Sequence, residues 1–303
     1  MTMNILCFWR SKRAMKFAGA LLALLLLVVF CLSAYIGWAL THPHRKALRE
    51  LPSEAGLTYE NISFFSRQDS LKMSGWLLPA KENKGTIIFA HGYRQNRLQD
   101  DVPGLSLGQA LVAQGYNVVL FDFRNSGESA GSLTSVGELE VRDLLGAVDF
   151  VKSRQDLNQS ITLFGFSMGA ATAIVAGSEE SAVKAVIADS PFADLRSYLA
   201  DHLTVWTHLP SFPFNETVLT MIPLMTGIDA RGMSPLKDVA KLAGRPLLLL
   251  HGNSDITIPV TESQKLQQAY PQAKLVIIPG AKHVQGFHKA KELYLEQVLA
   301  FLQ

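Results

Sequence analysis

The sequence predicts an α/β fold in which a mostly parallel sheet carries helices on both faces. From residue 57 onward, short apolar segments of strand type alternate with segments of helical periodicity. Apolar strands without polar alternation are typical of parallel sheets that are buried on both faces. A second observation agrees: the strand that begins at Ile161 runs directly into a glycine-flanked serine and then into small residues. The third is an uncharged stretch, residues 17–40, that stands apart from this domain.

Residues 17–40 are predicted to form a transmembrane helix that stays attached to the domain. As a helix this stretch is roughly 36 Å long, which is enough to cross a bilayer with some tilt. A cleaved signal peptide is the alternative, but the apolar core is longer than such peptides need and no small-residue cleavage site follows it. Cys31 is preceded by Phe30, which does not match a lipoprotein cleavage site.

The charges that flank the predicted span favour a cytoplasmic N-terminus. The segment 1–16 is basic, and it contains Arg10, Lys12, Arg13 and Lys16 without an acidic residue. The linker at 41–56 carries charges of both signs. Because positive charge is retained on the cytoplasmic side and long domains cross largely regardless of charge, the domain is predicted on the outer side of the membrane.

Composition excludes several classes of function. The net charge of this chain of 303 residues is only +2 and its basic residues are scattered, so no nucleic-acid surface is indicated. Both cysteines, Cys7 and Cys31, precede the predicted domain, which therefore has no disulfide framework and no cysteine-ligated metal site. The histidines do not show a His-Glu-x-x-His or similar ligand spacing, and neither a metal nor another cofactor is expected.

The predicted domain covers residues 57–303, and apolar runs and helical spacing define its elements. In order, these are an antiparallel hairpin (57–66 and 71–78), a strand (85–90), a helix (98–114), a strand (116–121), a helix (136–154), the strand from 161 with the helix from 168, strands at 183–188 and 246–251, a helix (260–269), a strand (275–278) and a final helix from about 287.

Residues 192–234 interrupt this alternation and are predicted to form an inserted cap. The segment is much longer than a simple crossover connection, and it is rich in large apolar residues. These are Trp206, Leu209, Phe212, Phe214, Leu219, Met221, Ile222, Leu224 and Met225. They either pack the cap on itself and on the domain, or line an acyl-binding pocket with apolar walls. The sequence leaves both interpretations open.

The pentapeptide from Gly165 to Gly169 has the pattern of a nucleophile elbow, with Ser167 at its centre. A serine hydroxyl must be exposed and aimed before it can attack, and a sharp turn from strand to helix provides both conditions. The two glycines leave room for a strained backbone that passes close to its neighbours.

A serine nucleophile needs a base and a group that orients the base, and both follow at predicted strand ends. Asp255 comes after the strand at 246–251, and His283 comes after the strand at 275–278. The order Ser167, Asp255, His283 is the one found in α/β hydrolases and differs from the two common orders of serine proteases. Asp189 also ends a strand and is the alternative acid.

Other histidines are expected to have different roles. His288 is placed in the final helix as a surface or packing residue, and His91 and His251 are interpreted as residues that stabilise loops.

His91-Gly92-Tyr93 follows the strand that normally supplies the second oxyanion donor, so the backbone amides of Tyr93 and Met168 are predicted to form the oxyanion hole. The alternative is that His91-Gly92 only turns the chain.

With these motifs in order, residues 57–302 resemble the α/β-hydrolase superfamily. The single anchor and the segments at 91–97, 122–129 and 189–192 are similar to those of membrane-anchored α/β-hydrolase-domain proteins, and also to prolyl oligopeptidase-like and serine aminopeptidase-like hydrolases. The resemblance implies Ser167 as nucleophile, Asp255 as orienting acid and His283 as base. It implies esters, thioesters or peptides as substrates.

The first expectation is thus a membrane-anchored serine hydrolase that cleaves carboxylic esters, including esters of acyl chains. A serine peptidase is the competing enzyme. A non-catalytic binding protein on the same scaffold is a third alternative, but such scaffolds usually lack a triad member and this chain has all three. The sequence does not name the substrate, and it leaves the oligomeric state open.

Overall fold

The computed structural model describes the backbone of residues 3–303 and the side chains of residues 13–303. Arg10 and Lys12 of the predicted basic segment lie outside the described side chains. The chain forms two compact units, one made of residues up to Leu40 together with Leu199–Gly227, and the other of Thr41–Tyr198 and Ile228–Gln303. We call them the anchor unit and the hydrolase unit.

The hydrolase unit is built on an eight-stranded sheet with the order β1-β2-β4-β3-β5-β6-β7-β8. The strands are β1 (Glu60–Phe65), β2 (Lys72–Leu78), β3 (Gly85–Ala90), β4 (Tyr116–Phe121), β5 (Ile161–Phe166), β6 (Val183–Asp189), β7 (Leu247–Gly252) and β8 (Lys274–Ile278). The pairs β1–β2 and β2–β4 are antiparallel and the other pairs are parallel. The predicted edge hairpin and the mostly parallel sheet are confirmed.

Helices connect these strands. In the hydrolase unit they are α2 (Gly104–Ala113), α3 (Glu140–Ser153), α4 (Met168–Glu179), the first turn of α5 (Leu195–Thr207), α7 (Pro235–Asp238), α8 (Thr261–Ala269), α9 (Gly286–Lys289) and α10 (Lys291–Leu302). The parallel register aligns Ala90 with Gly165, Phe166 with Asp189, and Gly252 with Ile278. The carboxyl ends of these strands therefore meet at one edge of the sheet.

Two helices begin later than the sequence predicts. The residues before α2 form tight turns instead, in which the Val102 amide donates to Gln99 O and the Gly104 amide donates to Leu98 O. The loop before α3 is held by the buried Glu140 carboxylate, which accepts from Thr134 Oγ1 at 2.7 Å and from the Gly137 amide at 2.8 Å. Loop hydrogen bonds of this kind prevail over helical periodicity.

The anchor unit consists of α1 (Met3–Thr41, of which residues up to Leu40 belong to the unit), the remainder of α5 and α6 (Ser211–Thr226). Residues Arg13–Thr41 of α1 are long and apolar enough to cross a membrane, as an anchor or a signal sequence would be. Leu203, Val218 and Leu219 form a buried apolar cluster, and Ile36, Leu40 and Ile222 pack against it. The apolar helix and the cap segment thus share one small core.

Candidate active site

Ser167 occupies a strained turn between β5 and α4. Its φ of 55° and ψ of −117° lie in a region that residues with a side chain rarely adopt. A Cβ on Gly165 would lie 2.1 Å from Gly169 O, and a Cβ on Gly169 would lie 2.0 Å from Ala90 O. Both positions therefore need glycine. The Ser167 amide donates to Asp189 O at 2.8 Å, which fixes the turn against the end of β6.

The structure brings Ser167, His283 and Asp255 together in one hydrogen-bonded row. Ser167 Oγ lies 2.8 Å from His283 Nε2, and His283 Nδ1 lies 2.6 Å from Asp255 Oδ2. Both distances are within the range of hydrogen bonds that move protons in catalysis. The three residues come from the ends of β5, β7 and β8, where the sequence predicts them.

Asp255 is held as an ionised acceptor. Its Oδ1 accepts from the amides of Thr257 and Ile258, both at 2.9 Å. Burial acts to raise the pKa of Asp255, but the hydrogen bonds from His251 and His283 oppose it, and the pKa falls to about 2. An ionised carboxylate can only accept, so the proton between the two side chains is on His283 Nδ1. His283 Nε2 is then free to accept from Ser167.

The loop that carries Asp255 and the loop that carries His283 are joined by two further hydrogen bonds. The Gly280 amide donates to Asn253 Oδ1 at 2.7 Å, and the Ser254 amide donates to Ala281 O at 3.0 Å. A Cβ on Gly252 would lie 2.2 Å from Ala281 O, so the loops approach as closely as glycine allows. Because the loops are joined in this way, the geometry between acid and base does not depend on the two side chains alone.

The turn predicted to supply the second oxyanion donor lies beside the serine. A Cβ on Gly92 would lie 3.4 Å from Ser167 Cβ. The Gly92 amide donates to Gln99 Oε1 at 2.6 Å, and the buried Gln99 side chain thereby fixes the residue that precedes Tyr93. The sequence interpretation missed Gln99, since its contact depends on the tight turns before α2 and no local pattern marks it. Met168, the other predicted donor, is the first residue of α4.

His91 and His251 are buried and bonded within loops. The Phe123 amide donates to His91 Nε2 at 3.0 Å, so His91 Nδ1 carries a proton and donates to Gly92 O at 2.8 Å. Burial lowers the pKa of His91, which favours this neutral form. His251 lies 2.7 Å from Ser263 Oγ and 2.9 Å from Ile258 O, and its Nε2 is 3.4 Å from Asp255 Oδ2. His251 therefore also supports the acid.

Asp189, the alternative acid, is bonded to hydroxyl groups. Tyr294 donates to Asp189 Oδ2 at 2.8 Å, and Ser190 Oγ donates to Oδ1 at 2.8 Å. Burial raises the pKa of Asp189. The sequence interpretation missed Tyr294, because it lies 105 residues further along the chain. His288 is exposed on the short helix α9, outside the row.

Three proteins illustrate the sequence similarity of this chain to known proteins. YqkD of Bacillus subtilis is 32% identical over 233 residues, which cover 76% of this chain and 75% of that protein. YfhR of Escherichia coli K12 is 29% identical over 248 residues and 78% of each chain. Human ABHD12B is 27% identical over 221 residues, or 67% of this chain and 57% of that protein.

A solved structure shows the same fold. The Pyrococcus furiosus esterase Pf2001 matches with a TM-score of 0.74 and 28% identity, over 87% of this chain and 97% of that one. The α/β-hydrolase fold is established by this match together with the mostly parallel sheet and the row of polar residues at the strand ends. A model of the prolyl oligopeptidase family matches residues 104–303. The chain is therefore a serine hydrolase-type α/β protein that belongs to the prolyl oligopeptidase family.

Proposed function

We propose that the protein is a membrane-anchored serine hydrolase that cleaves carboxylic esters through an acyl-enzyme. One observation carries the catalytic part: the continuous row from Ser167 Oγ through the His283 ring to the Asp255 carboxylate, with separations of 2.8 and 2.6 Å. A serine next to a base that a third group orients is the arrangement that activates a hydroxyl nucleophile.

In the first half of the reaction, His283 Nε2 takes the proton of Ser167 as Oγ attacks the substrate carbonyl. The imidazolium that forms is stabilised by the ionised Asp255, which accepts from Nδ1. The backbone amides of Tyr93 and Met168 donate to the oxyanion. His283 then transfers the proton to the leaving oxygen, the bond between carbon and that oxygen breaks, and the acyl group stays on Ser167.

In the second half, water takes the place of the leaving alcohol. His283 Nε2 accepts a proton from the water, whose oxygen attacks the acyl carbon. The same two backbone amides donate hydrogen bonds to the oxyanion of the second tetrahedral intermediate. Collapse returns the proton to Ser167 Oγ and releases the carboxylic acid, so that the enzyme is restored.

Covalent labelling tests the nucleophile. We expect a fluorophosphonate probe to label the protein at Ser167, and Ser167→Ala to abolish both labelling and turnover. Ser178→Ala is the matched control, because Ser178 lies on the same helix α4 and its hydroxyl donates to a backbone oxygen of that helix, Val175 O, at 2.7 Å. Labelling that persists in Ser167→Ala would contradict the assignment.

Ester hydrolysis is supported by the similarity to the esterase Pf2001. Membership of the prolyl oligopeptidase family makes peptide hydrolysis the second candidate. Specificity constants for acetyl, butyryl, octanoyl and palmitoyl esters, compared with those for aminoacyl amides, separate the two. If apolar cap residues line an acyl pocket, each buried methylene adds about 0.8 kcal/mol, or roughly fourfold, until the pocket is full. Flat dependence on chain length with efficient amide cleavage would favour the peptidase.

The anchor is the remaining part of the proposal, with the N-terminus in the cytoplasm and the hydrolase unit outside. We expect the full chain to resist extraction by alkaline carbonate, and protease added outside intact cells to digest the hydrolase unit. A chain that begins at His42 should be released by alkaline carbonate and should remain active. It keeps Arg45, whose guanidinium donates to Ser129 O and Gly131 O at 2.6 Å and so holds the linker on the hydrolase unit. Cleavage near residue 40 would instead identify a signal peptide.

A further inference from the structure

The last turns of α1 pack closely against α6 within the anchor unit. A Cβ on Gly37 would lie 3.0 Å from Ile222 Cγ1 and 3.1 Å from Met225 Cε. Ser33, one turn earlier, is also fully buried. Small residues four apart let two helices approach closely, and this spacing is frequent where membrane helices associate. The contact is local, since Leu21–Leu27 of the same helix are exposed.

Other faces of α1 at this level carry exposed aromatic residues. Tyr35 is 67% exposed and Trp38 is 53% exposed, and both lie within two residues of Gly37. Tyrosine and tryptophan are enriched where a membrane span meets the polar headgroups. If α1 spans a bilayer, the α6 residues beside Gly37 therefore lie near the level of the headgroups.

The cap segment itself exposes large apolar side chains. Phe212, at the start of α6, is 87% exposed, and Leu224, near its end, is 75% exposed. Met225 next to it is 39% exposed. Leaving such side chains in water forgoes the free energy that burial would provide. Lipid beside the proposed membrane span would cover these exposed apolar side chains.

We propose that the cap segment of the anchor unit, residues 199–227, contacts the phospholipid bilayer beside α1, with Phe212 and Leu224 in the headgroup and upper acyl region. This rests on the proposed membrane anchor. The protein would thus bind the membrane surface through two parts of the chain that are about 160 residues apart, one that spans the bilayer and one that lies in its interface.

Depth-dependent fluorescence tests the contact in the full chain. Single cysteines replace Phe212 or Leu224 in a Cys7→Ser, Cys31→Ser background and carry an environment-sensitive dye, in phosphatidylcholine vesicles. We expect nitroxide-labelled lipid to quench both dyes several-fold more than it quenches the same dye at Phe65→Cys. Phe65 is the matched control, because it is an exposed phenylalanine, at 65%, in the hydrolase unit.

A second pair of variants tests whether α1 holds the cap at the membrane. Gly37→Leu places a side chain against Ile222 and Met225, so we expect it to reduce lipid quenching at position 224. Gly19→Leu is the control on the same helix, because a Cβ on Gly19 meets nothing within 4 Å. Cooperative thermal unfolding of each variant shows that it is folded.

Three outcomes would overturn the proposal even if the anchor is confirmed. One is stronger quenching of positions 212 and 224 by aqueous iodide than by lipid, in protein that stays in the carbonate pellet. A second is lipid quenching at position 65 that equals the quenching at positions 212 and 224. The third is protection of the dyes at 212 and 224 from both quenchers, together with energy transfer between dyes on separate molecules, which would mean that a second copy covers the cap. If the protein is absent from the carbonate pellet, it is the anchor that fails, and the proposal fails with it.

Discussion

Two carboxylates at the ends of neighbouring strands have opposite environments. Asp255, after β7, accepts from two backbone amides and from His283, and its pKa is lowered to about 2. Asp189, at the end of β6, accepts from the hydroxyls of Tyr294 and Ser190, and burial raises its pKa. Both side chains are buried.

The kind of donor accounts for the difference. Amides and an imidazole that carries a proton can only donate at these contacts, so they favour the charged form of Asp255. Hydroxyls can donate or accept, so they also satisfy a neutral group at position 189. Position at a strand end therefore does not distinguish the two carboxylates. The hydrogen-bond donors around each of them do.

The largest expected effect is that of Asp255→Asn on turnover. The amides of Thr257 and Ile258 require an oxygen acceptor, so the new NH₂ group would face His283 Nδ1 and force the proton onto Nε2. That tautomer cannot accept from Ser167, and kcat should fall by about 1,000- to 10,000-fold. Steady-state kinetics on a short ester measures this, with thermal unfolding as the check on folding. A loss below tenfold would remove Asp255 from the triad.

Acid stability is the next test. Because the folded pKa of Asp255, about 2, lies below its ordinary value of 3.8, ionisation stabilises the folded state above pH 4, and this stabilisation is lost as pH falls towards 2. The difference corresponds to about 2 kcal/mol. We expect wild type to lose that much more free energy of unfolding than Asp255→Asn between pH 5 and pH 2 in denaturant titrations. Parallel curves for the two proteins would contradict the prediction.

Tyr294→Phe should reduce stability with little effect on kcat. It removes the hydroxyl that donates to Asp189 and leaves a buried carboxylate oxygen without that donor, at a cost of about 1.5 to 3 kcal/mol. Tyr116→Phe is the control, since its half-buried hydroxyl donates to a neutral acceptor, Leu302 O, at 2.9 Å. Chemical denaturation of both variants gives the comparison. An equal loss in the two would show that the charge of Asp189 is not what Tyr294 satisfies.

The smallest effect is expected for Asp189→Asn. The amide has the same shape, and Tyr294 and Ser190 can each turn a hydroxyl to donate or to accept, so stability should change by less than about 1 kcal/mol. The specificity constant should stay within about tenfold, because no hydrogen bond joins this side chain to His283. If this variant were as damaging as Asp255→Asn, the two carboxylates would have to exchange roles.

The strands and the grouping of Ser167, Asp255 and His283 could be predicted because their signals are local. An apolar run marks each strand, and Ser167, Asp255 and His283 each follow one, so chain order was sufficient to group them. Gln99 and Tyr294 could not be predicted, since each acts through a contact that only the folded chain creates. The same holds for the anchor unit: no pattern in residues 17–40 or 192–234 shows that Leu203 and Val218 share a core with Ile36.

The positive φ of Ser167 means that the residue best suited to the chemistry is not the residue best suited to the backbone. Holding a residue with a side chain in such a conformation destabilises the folded state by on the order of 1 kcal/mol or more. A glycine at this position would avoid most of this strain. An inactive Ser167→Gly chain should therefore be more stable than an inactive Ser167→Ala chain. Under the proposed mechanism, this backbone strain is the stability cost of placing a nucleophile at the turn.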